Sequence, residues 1–150
     1  MNETIQLLQD VVRNARTGQD AIEQLLQRVD DPEMRKELMT EKEQYQAMVR
    51  DSEQALYDVG GKPEPLGMMA HAGMWMGMQI NTLMDKTNAH IAEIVIQGAT
   101  MGVIEMTKAF NAYEDADARA RGLASNFITQ QQDTIERQKA FLREEVAVKG

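Results

Sequence analysis

Apolar residues recur every three or four positions along most of this chain, a spacing that places them on one face of an α-helix. The first such run contains Ile5, Leu8, Val11, Val12, Ala15, Ile22, Leu25, Leu26 and Val29. It stops at Asp30-Asp31-Pro32, where Asp31 can cap a new helix whose first residue is Pro32. The pattern therefore predicts two long helices joined by a tight turn.

Three further runs of the same period complete the pattern. The second run contains Leu38, Tyr45, Met48, Val49, Ala55, Leu56 and Val59. Gly60-Gly61 closes its helix, and Pro63 and Pro65 prevent continuation. A third long helix is predicted over about 89–113. The fourth opens at Asp115 and Asp117, and its run contains Ala120, Leu123, Ala124, Phe127, Ile128, Ile135, Phe141 and Leu142.

The lengths of the connections predict the topology. Short turns at 30–31 and 114–116 make antiparallel neighbours of the first and second long helices, and of the third and fourth. The connection between the two pairs, about 60–87, is long enough to cross a bundle. We therefore predict an all-α four-helix bundle, up-down-down-up, in a single domain over 1–150. An up-down-up-down bundle with an appended helix is the alternative.

The crossover has a composition of its own. It contains Trp75, the one tryptophan of the chain, and six of its twelve methionines, namely Met68, Met69, Met74, Met76, Met78 and Met84. A helix is expected here, with a break near Thr87-Asn88 and Asn88 as the cap of the next helix. Methionine is flexible and fills irregular spaces or adaptable interfaces. The segment can pack onto its own bundle, or it can contact a partner.

Composition excludes several classes of function. The net charge is −8 and no basic run occurs, so we expect no nucleic-acid partner. There is no cysteine, and thus no disulfide or thiol nucleophile. No apolar window reaches the roughly 18 residues that span a bilayer, so no transmembrane segment is expected. The first residues lead into an amphipathic segment instead of a signal peptide, and a cytoplasmic location is expected.

Three stretches carry a resemblance to a known family. They are Val59-Gly60-Gly61-Lys62-Pro63, the tripeptide Gly73-Met74-Trp75 and the segment AEIVIQGATMGVI at 92–104. With them the chain resembles the ferritin-like superfamily, and specifically the uncharacterised bacterial ferritin-like group DUF2383. The resemblance covers most of the chain. It implies a ferritin-like bundle with a helical crossover between the second and third long helices, and it raises the alternative of an iron or manganese centre.

The residues that such a di-metal centre needs are incomplete. Di-metal bundles of this type use a Glu from each of two helices and Glu-x-x-His from each of the other two. The two histidines, His71 and His90, do not follow a Glu by three residues. The candidate ligands are Glu41, Gln44, Gln19, Gln97 and Gln131. Because neutral amides are poor ligands for these metals, we expect no cofactor, with iron or manganese as the alternative.

The same polar residues predict a layer inside the bundle. Counting outward from the two short turns places Gln19 level with Glu41, and Gln97 level with Gln131. Buried amides and carboxyls can hydrogen-bond one another and fix the helix register. Tyr45 next to this layer is a core residue with a paired hydroxyl or, alternatively, a redox tyrosine. Gly98 and Gly102 indicate either close approach of a neighbouring helix or an opened ligand pocket.

No complete catalytic set is present, and the chain is therefore more consistent with a non-enzymatic protein that acts through association. We expect a homo-oligomer whose contact includes Met74, Trp75, Met76 and Met78, since methionine and aromatic residues are enriched at interfaces. A monomer with the crossover folded fully onto its bundle is one alternative. The other is a di-metal oxidoreductase or metal-storage protein with an atypical site.

Overall fold

A computed structural model describes residues 2–65 and 71–143 of the chain. Its helices are α1 (Glu3–Leu26), α2 (Pro32–Asp58), α3 (His71–Asn81), α4 (Asn88–Ala112) and α5 (Ala118–Lys139). They contain more than two thirds of the described residues, and no strand occurs among these, which confirms the all-α prediction. Within the same residues, no helix combines the length and the apolar character that crossing a bilayer requires.

Short polar side chains start the long helices. The Asp31 carboxylate accepts the Met34 backbone N–H at 3.0 Å, with Pro32 at the first helical position, as the sequence predicted. Asp117 starts α5 in the same way. The cap of α4 was predicted wrongly. Thr87 accepts the His90 N–H at 3.3 Å, and Asn88 is already the first helical residue.

Contacts at the helix ends establish the direction of each long helix. The Thr4 hydroxyl accepts the Asp117 N–H at 2.8 Å, so α1 and α5 start at the same end. Arg119 near the start of α5 pairs with Asp58 at the end of α2, at 2.8 Å, so α2 runs the opposite way. α4 is joined to α5 by a short turn and also runs opposite to it. The four long helices thus run up, down, down and up in chain order.

One apolar core lies between these helices, and α1 contributes most to it. Its inner face buries residues at three-four spacing from one end to the other, namely Leu7, Leu8, Val11, Val12, Ala15, Ala21, Ile22 and Leu25. α1 contacts each of the other four helices. Burying a Leu, Ile or Val side chain contributes roughly 1.5–3 kcal/mol, so this face supplies much of the energy that holds the helices together.

The short helix α3 packs on α1 and α4. The crossover methionines Met68 and Met69 lie outside the described residues. Met76 is 5% exposed, and its thioether lies directly over Gly98, where an added Cβ would be 2.3 Å from Sδ. Close helix approach thus explains Gly98. Gly102 instead faces α5, where its added Cβ would lie 3.6 Å from Oε1 of Gln131.

Two helical glycines provide a matched test of this packing. A Cβ at Gly18 would lie 2.3 Å from the Tyr45 ring, whereas a Cβ at Gly122 meets nothing within 4 Å. Gly122→Ala should therefore raise the free energy of unfolding by about 1 kcal/mol through helix propensity. Gly18→Ala should lower it by about 1–3 kcal/mol, because the buried ring must move. Urea denaturation measures both, and stabilisation by Gly18→Ala would contradict the packing described here.

Candidate functional site

A buried carboxyl group marks the contact between α2 and α5. Glu41 follows Met34 and Leu38 on the inner face of α2 and is 1% exposed. Its Oε2 accepts a hydrogen bond from the Gln138 side-chain amide at 2.7 Å. Three-four spacing places Glu41 there, because the apolar residues on either side of it must face the core.

Glu37, one turn before Glu41, pairs with Arg137 of α5. The Arg137 Nε donates to both Glu37 carboxylate oxygens, at 3.1 and 3.0 Å. One Arg137 terminal nitrogen donates to Gln44 at 3.1 Å and more weakly to Thr134 at 3.4 Å. The cluster thus contains two carboxyl groups and one guanidinium, whose single charge can balance one ionised carboxylate.

The carboxyl group of Glu41 has no positive charge of its own to balance it, and its pKa is shifted. Burial is the largest cause that raises the pKa of Glu41 well above its usual range, and its hydrogen bond and proximity to Glu37 add to the effect. The Gln138 amide and Arg137 act in the opposite direction with smaller effect. Among the described residues, no N–H group donates a hydrogen bond to Oε1 of Glu41 or to Oε1 of Gln138, and the lack of a donor at Glu41 also disfavours its ionised form. Glu41 therefore keeps its proton to a higher pH than an exposed glutamic acid does.

A second polar contact lies one turn further along α2. The Tyr45 hydroxyl donates to Oε1 of Gln131 on α5 at 2.9 Å. Burial raises the pKa of the Tyr45 phenol above its ordinary value, so the hydroxyl stays protonated. This geometry is that of a core tyrosine with a paired hydroxyl.

A cavity of about 20 Å³ adjoins this contact and is lined by residues from all five helices. Its lining combines the Tyr45–Gln131 pair with Asn14, Met76 and the backbone at Gly98. A cavity of that size holds about one water molecule. It is too small for an organic substrate, so the pocket alternative for the α4 glycines is not supported by the shape of the interior.

The structure separates the five candidate ligands. Glu41 and Gln131 are buried, but each is hydrogen-bonded to a different partner, and Gln44 accepts from Arg137. Gln97 is exposed, and Gln19 is half-buried beside a surface depression between α1 and α2. The predicted four-residue layer is thus wrong for Gln19 and Gln97.

The residues of α5 that take part in this contact instead, Thr134 and Gln138, were not predicted from the sequence. The inner face of this helix is Ala120, Ala124, Phe127, Gln131, Thr134 and Gln138, all buried. Gln138 and Thr134 continue the three-four spacing of the apolar residues before them, and this spacing was the available signal. Arg137 lies beside this stripe and reaches Glu37.

The donor set does not fit a di-metal centre. Over the described residues, no three His, Cys, Asp or Glu side chains are grouped so that they could hold a metal ion. The carboxyl pair of α2 already faces the Arg137 guanidinium, whose positive charge opposes a cation at the same place. His90 is half-buried at the start of α4, 3.9 Å from Glu93, away from the α2–α5 cluster.

The crossover helix presents a different kind of site, an exposed apolar surface. Met74 and Met78 are 61% and 68% exposed, and Gly77 lies between them on the same side of α3. An added Cβ at Gly77 would meet nothing within 4 Å. We call Met74, Gly77 and Met78 the outer face of α3. The interaction prediction is corrected for Met76, which is buried against Gly98, while Trp75 is half-buried against the core.

Comparison with protein families, with curated proteins and with solved structures finds no match for this chain.

The raised pKa of Glu41 predicts a pH-dependent stability. The folded chain holds a proton that the unfolded chain releases above about pH 4.3. The contribution of this proton to the free energy of unfolding is complete below that pH. It is lost as the pH rises through the folded-state pKa, at up to about 1.4 kcal/mol per pH unit. Glu41→Gln cannot ionise, so it should gain stability relative to wild type as the pH rises.

Urea denaturation between about pH 4 and pH 9 measures this difference. Glu43→Gln, at an exposed position of the same helix, is the matched control and should follow the wild-type profile. If Glu41→Gln and wild type give parallel pH profiles, the buried carboxyl does not hold its proton.

The donor geometry also predicts the metal content. Protein purified without chelator should contain iron and manganese far below one atom per chain, and Glu41→Gln should not change that content. Elemental analysis of both proteins decides the question. Near-stoichiometric metal that disappears in Glu41→Gln would favour the di-metal alternative.

Proposed function

We propose that this protein is a non-enzymatic helical bundle that acts by self-association through the outer face of α3. The observation that carries the proposal is the pair of exposed methionines, Met74 and Met78, on either side of Gly77. The occupant that we propose for this face is the same face of a second copy.

The glycine supports the presence of a partner. Gly in a helix interior costs about 1 kcal/mol relative to Ala. Gly122 of α5 is as open as Gly77, but Gly77 lies between two large exposed apolar side chains, Met74 and Met78. Gly98 has a close neighbour in Met76, but no described atom lies near the missing side chain of Gly77. A second chain that approaches the α3 backbone at Gly77 gives that glycine the same role.

The shape of the face favours a second copy as that chain. In a two-fold symmetric dimer the same patch meets itself, so it must contain both the protruding and the receiving element. The outer face of α3 contains both, because Met74 and Met78 protrude and Gly77 leaves a depression between them. The Met76–Gly98 contact inside the chain demonstrates that a methionine fits closely over a helical glycine.

Charge favours the same partner. Two copies of a chain with net charge −8 repel each other over most of their surfaces. α3 contains no Asp, Glu, Lys or Arg, so two α3 faces meet without opposing like charges. The absence of basic residues on α3 also makes this surface a poor match for an anionic lipid headgroup.

The proposal extends to the fold. We propose a ferritin-like bundle of the DUF2383 type, in which α3 belongs to the crossover between α2 and α4. The up-down-down-up order of the long helices and the length of that connection support this assignment. Association in place of metal chemistry is then the expected role, since Arg137 lies against the carboxyl pair.

The test compares Met78→Glu with Met39→Glu by light scattering and sedimentation over a micromolar concentration range. Met39 is 41% exposed on α2, so it controls for added surface charge. Wild type and Met39→Glu should have twice the mass of one chain, and Met78→Glu should have the mass of a monomer. Met78 is a better probe than Trp75, whose replacement would disturb the core.

Gly77→Ala is a second variant that tests the proposed contact. It should raise the unfolding free energy of the separated chain by about 1 kcal/mol, since the added Cβ has open space. It should also weaken the dimer, because the depression is filled. A wild-type monomer at every concentration, or a dimer that survives Met78→Glu, would refute the proposed contact.

A further inference from the structure

We propose that the outer face of α3 is a modification site for hydrogen peroxide, and that oxidation of Met74 and Met78 to methionine sulfoxide separates the two copies. This inference rests on the self-association proposed above and assigns it a regulation by redox conditions.

The exposure of the methionines sets the selectivity. Four of the described methionines are buried with at most 5% of their surface accessible, namely Met34, Met48, Met76 and Met106. Among the described methionines, the exposed ones are Met39, Met74, Met78 and Met84. A dissolved oxidant must reach the sulfur, so the core methionines are protected and the outer face of α3 is open to attack.

The reaction is a two-electron oxygen transfer. A sulfur lone pair attacks one oxygen of hydrogen peroxide, the S–O bond forms and the O–O bond breaks. The other oxygen takes up the transferred proton and leaves as water. The thioether is oxidised to the sulfoxide and the peroxide is reduced, so the step needs no other reactant. Sulfoxide reductases reverse the product, which makes the change suitable for a switch.

The product no longer fits the contact. A sulfoxide oxygen is a strong acceptor, and none of the three residues of the outer face of α3, Met74, Gly77 and Met78, has a side chain that can donate a hydrogen bond to it. Its burial would remove water from that oxygen without replacing the hydrogen bond. The oxidised face is therefore more stable in water than in the dimer contact, and the equilibrium shifts toward the separated chains.

Association and oxidation must then oppose each other. In the dimer the outer face of α3 is covered, so peroxide reaches Met74 and Met78 through the separated chain. Their oxidation should slow as the protein concentration rises, in proportion to the fraction of separated chains. Met39, on α2, should react at the same rate at every concentration.

The experiment treats the full chain with hydrogen peroxide, follows each methionine by peptide mass analysis and measures the assembled mass by light scattering. Oxidised wild type should dissociate with a dissociation constant raised about tenfold or more, equivalent to at least about 1.4 kcal/mol. The double variant Met74→Leu with Met78→Leu keeps an apolar face without a reactive sulfur, and it should stay associated after the same treatment. Met39→Leu should dissociate like wild type.

Each other outcome contradicts either the oxidation switch or the self-association on which it rests. If Met74 and Met78 are oxidised and the dimer persists, the switch is wrong while self-association stands. If the double leucine variant dissociates like wild type, a different methionine is responsible. If wild type is monomeric before treatment, both proposals fail. Should the leucine variant not associate at all, the concentration dependence of oxidation in wild type decides, and equal rates at Met39 and Met74 would overturn the inference.

Discussion

The contact between α2 and α5 is the constraint on which the rest of the bundle depends. The turns at either end define two helical hairpins, α1–α2 and α4–α5, but a turn cannot align one hairpin with the other. Three polar side-chain pairs between α2 and α5 align the hairpins. They are Glu37–Arg137, Glu41–Gln138 and Tyr45–Gln131. A shift of one helical turn would break all three and leave a buried carboxyl group without its amide.

A polar stripe of this kind contributes more to register than to stability. Removal of a carboxyl group from water costs several kcal/mol, and hydrogen bonds in the interior recover only part of it. Apolar residues of the same volume at Glu41 and Gln138 could give a more stable bundle with a less defined alignment. The raised pKa of Glu41 lessens this cost, because the carboxyl group stays neutral to a higher pH than usual and a neutral carboxyl group is much cheaper to bury than an anion.

Long helices and their ends were predictable because the signals are local. Asp31-Pro32 and the acidic pair before α5 determine where helices start, and the three-four spacing identifies the buried face of α1 without ambiguity. α4 was harder, since its consecutive residues Ile94, Val95 and Ile96 leave several faces equally apolar. The position of Gln97 therefore could not be read from spacing, and it depends on where α3 covers the helix.

Predicting the α2–α5 cluster required knowledge of which hairpin faces meet. Arg137 and Gln138 are adjacent in sequence, yet one reaches across to Glu37 at the edge of the contact and the other is fully buried against Glu41. Residue type alone favoured the glutamines near mid-helix as the partners of Glu41. The rotation of α5, set by Phe127 and the small residues Ala120 and Ala124, decides between them.

The inner and outer faces of α3 use the same residue type for different purposes, and this division connects the fold with the proposed function. Met76 lies over Gly98 and borders the small cavity beside Tyr45 and Gln131, so its position is fixed by the core. Met74 and Met78 are mostly exposed, so their flexible thioethers can adapt to a partner. These two residues are exposed and take no part in the polar stripe between α2 and α5, so a change on the outer face of α3 leaves the hydrogen bonds of that stripe in place. In the proposed association, the bundle can therefore keep its fold while the contact between the copies changes.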